Sequence, residues 1–244
     1  MATVAPFVVP ALKRHTATVI MAHGLGDTGA GWMMIAQNFR RRGLYDEVSF
    51  VFPNAPSIPI TVNAGLSMPG WYDIKSLSSS LTMEEFFAQR DEAGILKSRE
   101  YFNGLIKAEV DKGIKPSRIV FGGFSQGGAM ALVTGLTSPE KLGGIFGLSC
   151  YLPLPPDQIK KQVPEGWPNQ KTPLFMGHGD IDNVVKLEYG EVTAKILKDM
   201  GVGVEFHKYP GLGHSGDPDE IQDLEKFLDR VIPAEGAAAA SSEL

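Results

Sequence analysis

The spacing of hydrophobic residues changes repeatedly along the chain, between the short runs of buried strands and the three-to-four-residue period of amphipathic helices. Apolar runs rich in β-branched and aromatic residues predict strands at 17–21, 48–52, 119–121, 145–150, 173–176 and 204–209. Helical periodicity predicts helices at 32–43, 95–113, 128–136, 186–200 and 218–231. Strands that alternate with helices are typical of a mostly parallel central sheet with helices on both faces.

The pattern breaks in two places. Residues 53–73 contain repeated prolines and glycines and are predicted to be irregular, and residues 76–87 are rich in serine. Long irregular stretches inside a compact domain tend to be functional, so a lid-like loop is predicted over residues 60–90. No linker divides the remainder, which predicts one domain over residues 1–234 and a low-complexity, disordered tail at 235–244.

The amino-acid composition limits which binding partners and which cellular compartment are expected. The 244 residues include 23 Lys and Arg against 28 Asp and Glu, a net charge of −5, with no long basic run. Because phosphate contacts dominate nucleic-acid binding, this balance argues against a nucleic-acid partner. No apolar run reaches the ~20 residues that cross a bilayer, so membrane contact is expected to be transient. The single cysteine, Cys150, excludes an intrachain disulfide, favours a cytoplasmic location and is expected to be a buried structural thiol.

One serine lies in a setting that favours nucleophilic chemistry. Ser125 stands between Gly123 and Gly127, directly after the strand at 119–121 and before the small-residue helix at 128–136. This is the context of a nucleophile elbow, a turn so tight that a side chain at either glycine would collide with neighbouring backbone. An ordinary glycine loop is the alternative, and the flanking strand and helix favour the nucleophile.

The groups that would activate this serine follow it in the order acid, then histidine. A short strand leads into a polar turn with two candidate acids, Asp180 and Asp182, and a later strand leads into a loop that carries His214. A serine hydroxyl needs an imidazole to take its proton, and the imidazole needs a carboxylate to fix its tautomer. Serine, acid and histidine in this order predict an α/β-hydrolase fold.

Attack on a carbonyl builds negative charge on oxygen, which preorganised N–H groups must meet. In this fold one donor belongs to the residue after the nucleophile, here Gln126, and the second to the loop after an early strand, here Leu25. His23 and His178 lie beside these loops, and both are expected to have structural roles in which they hydrogen-bond to backbone.

A metal site is the alternative interpretation of the acid turn. His178, Asp180 and Asp182 are residue types that bind divalent ions. A metal hydrolase would need neither the serine elbow nor the late histidine, so this alternative is disfavoured. Neither a metal nor an organic cofactor is expected.

Five segments together resemble the acyl-protein thioesterase family, which belongs with the small carboxylesterases and lysophospholipases. The segments are His23–Gly29, Pro53–Pro56, Met68–Asp73, Gly122–Gly128 and His178–Asp182, and the similarity spans residues 7–232. The resemblance implies a cytosolic serine hydrolase that cleaves acyl thioesters, such as palmitoyl-cysteine on proteins, and carboxyl esters of lipids. It also implies Ser125, Asp182 and His214 as catalytic residues, with Leu25 and Gln126 as the oxyanion donors.

Between Ser76 and Gly94 the chain departs from the family pattern, because this segment is longer and more apolar than the acidic loop expected there. Apolar side chains in and before it are predicted to line a channel for an acyl chain. They are Leu66, Met68, Trp71, Leu77, Leu81 and Phe86. The alternative for Trp71 and Phe86 is an ordinary place in the core.

The predicted function is hydrolysis of acyl thioesters and esters, chiefly the depalmitoylation of S-acylated proteins. Expected partners are S-acylated proteins or lipid esters, and the expected assembly is a monomer or a weak homodimer. A broad carboxylesterase or lysophospholipase would use the same triad. From another class, a hydrolase fold that serves as a small-molecule receptor is the alternative.

Overall fold

The computed structural model describes residues 4–76 and 82–235. Nine strands belong to this part of the chain: β1 Phe7–Val9, β2 Ala17–Ala22, β3 Val48–Phe52, β4 Ser57–Ile60, β5 Leu66–Pro69, β6 Ile119–Phe124, β7 Gly144–Leu148, β8 Leu174–Gly179 and β9 Val204–Tyr209. Seven form one central sheet in the order β1–β3–β2–β6–β7–β8–β9, while β4 and β5 pair as a separate antiparallel hairpin. Within the central sheet β1 runs antiparallel to β3, and the remaining pairs are parallel.

The described α-helices connect and cover these strands. They are α1 Met33–Arg41, α2 Met83–Ala88, α3 Glu92–Asp111, α4 Gln126–Thr137, α5 Pro156–Gln162, α6 Leu187–Asp199 and α7 Pro218–Val231. None of them is long and apolar enough to cross a membrane. The alternation of parallel strands and helices is the α/β-hydrolase arrangement that the sequence predicts.

The sheet is buried on both faces by two apolar clusters. Phe39 of α1 and Phe227 of α7 pack on one face, and Phe102 of α3 and Leu197 of α6 belong to the cluster on the other. Successive residues of β2 alternate between the two clusters, as the two-residue period of a strand requires. Burial on both faces explains why these strands are continuous apolar runs in the sequence.

The prediction that residues 53–73 are irregular is wrong for the β4–β5 hairpin. Ser57 pairs with Pro69 and Ile60 with Leu66 across it. Prolines at positions 59 and 69 weaken the sequence signal for a strand, because proline lacks the N–H that a ladder needs. The hairpin tolerates them because it is two-stranded, so each strand has a free edge.

The short helix α2 also lies where the sequence analysis expected an irregular lid. A capping box begins it, since the Glu85 N–H donates to Thr82 Oγ1 at 3.2 Å and the Thr82 N–H donates to Glu85 Oε2 at 2.8 Å. A threonine followed three residues later by glutamate is a helix-start signal that was present in the sequence. Strand β1 and helix α5 were likewise not predicted.

Candidate active site

The site lies where four strands of the central sheet end. Strand β2 leads into the loop with Leu25, β6 into Ser125, β8 into the turn with Asp182, and β9 into the loop with His214. Because these strands are parallel, their carboxyl ends share one edge of the sheet, which is where open α/β sheets place their sites. Residues distant in sequence therefore meet there.

Ser125 occupies a strained turn between β6 and α4. Its backbone angles are φ 53° and ψ −121°, a conformation that costs a non-glycine residue roughly 1–3 kcal/mol and is commonest at functional sites. Two backbone hydrogen bonds hold it, from the Ser125 N–H to the Leu148 carbonyl at 2.8 Å and from the Ala129 N–H to the Ser125 carbonyl at 2.9 Å. The turn is thus fixed from both the sheet and the helix.

The glycines beside Ser125 are required by close backbone contacts, as the sequence analysis expected. A Cβ at Gly123 would lie 2.5 Å from the Gly127 carbonyl carbon, and a Cβ at Gly127 would lie 2.2 Å from the Ala22 carbonyl oxygen. Neither distance leaves room for a side chain. The elbow therefore packs directly against strand β2.

The structure brings the three predicted catalytic residues into one line of hydrogen bonds. His214 Nε2 lies 3.0 Å from Ser125 Oγ, and His214 Nδ1 lies 2.7 Å from Asp182 Oδ2. Both distances are within the range that a nucleophile, its base and the orienting acid need. Phe124 packs against the imidazole, with ring centroids 4.7 Å apart, and holds it from one side.

Asp182 is buried and held in its charged form. Its Oδ1 accepts the backbone N–H groups of Val184 at 2.8 Å and Val185 at 2.9 Å, which leaves Oδ2 for His214. Burial alone would raise the pKa of Asp182, but the hydrogen bond and charge of His214 together with the two amides outweigh it and lower that pKa. The carboxylate is therefore suited to stabilise an imidazolium.

Asp180, the other candidate for the acid, forms a different set of hydrogen bonds. Its Oδ1 accepts the Gly211 N–H at 2.7 Å, and its own N–H donates to the Tyr209 carbonyl at 3.1 Å. The Ile181 N–H also donates to the Leu212 carbonyl. These bonds join the acid turn to the histidine loop, so Asp180 braces the loop that carries His214.

His23 and His178 are fully buried and bonded to backbone, as the sequence analysis expected. His23 Nδ1 lies 2.7 Å from the Gly24 carbonyl, and His178 Nε2 lies 2.7 Å from the Val185 carbonyl. Burial lowers the pKa of both imidazoles, against the opposing effect of these bonds. His23 therefore supports the loop after β2, and His178 supports the acid turn.

The backbone N–H groups of Leu25 and Gln126, which the sequence predicts as oxyanion donors, both lie in segments next to Ser125. Gln126 is the first residue of α4, where an N–H has no partner inside the helix and the helix dipole favours negative charge. A Cβ at Gly24 would lie 3.3 Å from the Ser125 Cβ, so the loop with Leu25 packs close to Ser125. Within the described residues, neither the Leu25 nor the Gln126 N–H donates to a protein acceptor.

A buried polar network behind these donors was not predicted from the sequence. The Gln126 side chain accepts the Trp71 N–H at 2.8 Å and donates to the Tyr72 carbonyl at 2.7 Å. The Trp71 indole N–H donates to the His23 carbonyl at 2.8 Å, and the Ser98 hydroxyl donates to the Trp71 carbonyl. The network ties the oxyanion loop, the start of α4 and the segment after β5 together.

A cleft of about 1340 Å³ opens at Ser125 and His214. Much of its lining is apolar and comes from the loop with Leu25, the hairpin region, the segment after β7 and the acid turn: Leu25, Val62, Ile74, Tyr151, Val184 and Val185. Further lining comes from α1, its two flanking residues and α7, and it includes the apolar Trp32, Ile35 and Ile221 and the charged Arg42 and Glu225. The lining therefore offers apolar surface to an acyl chain and charged groups to the more polar parts of a ligand.

The side chains predicted to line an acyl channel lie elsewhere. Trp71 and Phe86 are buried in the core cluster, and Trp71 lines a separate cavity of about 510 Å³. Leu66 is exposed on the hairpin, and Met68 contacts Asn63 and lies near Gly26, so neither lines the cleft at Ser125. Leu77 and Leu81 fall outside the described residues. The sequence did not indicate the walls of this cleft because they come from segments that lie far apart along the chain.

Comparison with known proteins agrees with this architecture. The model of the phospholipase/carboxylesterase family matches residues 4–232. Acyl-protein thioesterase 1 of Emericella nidulans is 63% identical over 236 residues, which cover 96% of this chain and 98% of the relative. Acyl-protein thioesterase 1 of Aspergillus fumigatus is 58% identical, with 98% of each chain covered.

Solved structures extend the similarity beyond fungi. Arabidopsis thaliana SOBER1 superposes with a TM-score of 0.80 at 33% identity and covers 89% of this chain and 99% of its own. Zea mays acyl-protein thioesterase 2 gives a TM-score of 0.77 at 27% identity, with 93% and 98% covered. The chain therefore belongs to the phospholipase/carboxylesterase family and, within it, to the acyl-protein thioesterases.

Proposed function

We propose that this protein is a serine hydrolase that cleaves acyl thioesters and esters, with S-acylated proteins as its main substrates. The observation that carries the proposal is the hydrogen-bonded line from Ser125 through His214 to Asp182, at the mouth of a largely apolar cleft. Relatives of high identity that are named acyl-protein thioesterases support the same substrate class.

In the proposed acylation step, His214 Nε2 takes the Ser125 proton while Ser125 Oγ attacks the acyl carbonyl. The Leu25 and Gln126 N–H groups stabilise the oxyanion, and Asp182 stabilises the imidazolium. Collapse of the tetrahedral intermediate breaks the carbon–sulfur bond and leaves an acyl-serine. The thiolate is a good leaving group, and it then takes the proton from the imidazolium, so that it departs as a thiol and neutral His214 is restored for deacylation.

Deacylation follows the same path with water in place of the thiol. His214 takes a proton from water, hydroxide adds to the acyl-serine carbonyl, and Ser125 leaves with the proton that His214 returns. The products are a free fatty acid and the regenerated enzyme. The same residues would serve an oxygen ester, so preference between the two depends on the leaving group and on the cleft.

The apolar wall of the cleft supports an acyl chain as the group bound beside Ser125. Each methylene removed from water contributes about 0.8 kcal/mol, so a longer chain gains affinity for as long as the wall continues. The single cysteine, which excludes an intrachain disulfide, supports a cytoplasmic location for the protein.

The proposal is tested with a chain-length series of acyl esters, matched acyl thioesters and a palmitoylated peptide, each assayed with the wild type and with Ser125→Ala. We expect multiple turnover that rises with chain length and extends to the peptide. Turnover of short oxygen esters alone would instead indicate a broad carboxylesterase. Tight binding with at most one turnover per protein would indicate a receptor and would contradict the proposal.

A further inference from the structure

One fully buried carboxyl group lies close to the site and has no part in the proposed mechanism. Glu220 is the third residue of α7, its exposed fraction is 0%, and neither of its carboxyl oxygens has a hydrogen-bond partner among the described residues. Buried polar side chains without partners are uncommon in folded proteins and call for an explanation. Helix α7 begins four residues after His214.

The Glu220 side chain packs directly on the strand that carries the acid turn. A Cβ at Gly177 of β8 would lie 2.4 Å from Glu220 Oε1 and 3.1 Å from its carboxyl carbon, so only a glycine fits opposite this side chain. Glu220 therefore joins the first turn of α7, which follows the histidine loop, to β8, which leads to Asp182.

The titratable groups that interact with Glu220 are all acids. They are Asp182 on the acid turn, Asp217 at the start of α7, the Cys150 thiol after β7 and the Tyr209 hydroxyl at the end of β9. No cation among the described residues pairs with it. Burial raises the pKa of Glu220 to about 8, and the charges of Asp217 and Asp182 act in the same direction.

We propose that Glu220 is a positioning residue that works as a neutral carboxylic acid, holding the first turn of α7 and the His214 loop against β8 and the Asp182 turn. This inference rests on the proposed serine-hydrolase function. The neutral form fits because an unpaired charge at this depth would be strongly disfavoured. Glu220 touches no reacting atom and acts only through the elements that carry His214 and Asp182.

Ionisation of Glu220 would disturb this contact. The proton would pass to solvent and leave a carboxylate without a cation, beside the charge of Asp182 and in a site closed to water. Repulsion and desolvation would then favour movement of the first turn of α7 away from β8. Since three residues separate that turn from His214, the histidine would lose its alignment as the pH rises.

The test compares wild type with Glu220→Gln, Glu220→Ala and Asp219→Asn from about pH 6 to about pH 9.5, with a soluble acyl thioester as substrate. Gln keeps the shape and the neutral charge at every pH. Asp219 is an exposed acid in the same helical turn and is the matched control. We expect wild-type and Asp219→Asn kcat/KM to fall about tenfold per pH unit above the ionisation of Glu220. Glu220→Gln should lack this fall, while Glu220→Ala should lose activity across the range.

Two outcomes would overturn the inference: the same alkaline fall in kcat/KM in Glu220→Gln and in wild type, or a loss of activity in Glu220→Gln as large as in Glu220→Ala.

The Tm of each variant, measured without substrate over the same pH range, separates this inference from the proposed function. Wild-type Tm should fall towards alkaline pH relative to Glu220→Gln. Equal Tm profiles contradict the role of Glu220, whereas failure of a fluorophosphonate to label Ser125 contradicts the serine-hydrolase function.

Discussion

At the scale of single residues, the two carboxylates of the acid turn have separate tasks. Asp182 receives the imidazole of His214 on one oxygen and two backbone amides on the other. Asp180, two residues earlier, receives the Gly211 amide and so braces the loop behind His214. The sequence left both open as the acid, and the family resemblance favoured Asp182.

Replacing each of the two aspartates with asparagine measures how much each carboxylate contributes to activity. Asp182→Asn should lower kcat about ten thousandfold, because the amide cannot hold the imidazole in the reactive tautomer. Asp180→Asn should cost less than about tenfold, because an amide oxygen can still accept the Gly211 N–H. Steady-state kinetics on one acyl ester compares them. A larger loss at Asp180 would reverse the assignment.

The residues that hold the site could be predicted less well than the residues proposed to do the chemistry. Ser125, Asp182 and His214 each follow a predicted strand, so topology alone brings them together. In the sequence Trp71 looks like part of a wall for an acyl chain, yet its indole N–H donates to the His23 carbonyl and its backbone N–H donates to the Gln126 side chain. These two hydrogen bonds join residues that are 55 and 48 positions apart in the sequence, so no local sequence pattern indicates them.

At the scale of elements, the elbow depends on how closely β6 and α4 approach β2. Gly127→Ala would place a methyl group 2.2 Å from the Ala22 carbonyl oxygen. Because the nearest atoms all belong to the backbone of Ala22 and His23, the clash cannot be relieved by a side-chain rotation. We expect a loss of at least about 3 kcal/mol in the free energy of unfolding.

The matched control is Gly104→Ala in α3, where a new Cβ would contact nothing within 4 Å. Alanine is the better helix former, so this variant should gain about 0.5–1 kcal/mol. Urea unfolding of the two variants gives both free energies. Equal and small effects would mean that the elbow is not tightly packed against β2.

The sequence predicted the helices and strands whose hydrophobic residues recur with a clear period, and it did not predict those that lack such a period. The strand at 48–52 and the helix at 218–231 match β3 and α7. The β4–β5 hairpin escaped prediction because prolines interrupt it, and α2 is only six residues long. Its capping box is a local signal that identifies such a helix when the periodicity is too short to do so.

For the molecule as a whole, two buried histidines make the free energy of unfolding depend on pH in the acidic range. Burial lowers the pKa of His23 and His178 below the value of 6.5 that they have when exposed. Below that pH the unfolded chain binds protons that the folded chain does not, so the free energy of unfolding falls. We expect Tm to decrease between about pH 6.5 and about pH 5.

Glu220 opposes this trend, since its raised pKa makes the folded state bind the additional proton between its unfolded value of 4.5 and about 8. The acid-side decrease is therefore best measured in Glu220→Gln, which removes the opposing contribution. In that variant Tm should fall more steeply with acid than in wild type. A Tm that is constant or rises on acidification would contradict the neutral, buried state of both histidines.

The proposed mechanism requires that Ser125 carries the acyl group during turnover. Rapid mixing of the protein with a long-chain acyl thioester, followed by an acid quench and mass spectrometry of the digested chain, tests it directly. We expect a transient acyl adduct on the peptide that contains Ser125, and we expect no such adduct in Ser125→Ala. Cys150 should carry none, because burial raises its pKa far above the usual range and closes it off from substrate. An adduct on Cys150, or steady turnover by Ser125→Ala, would contradict the account.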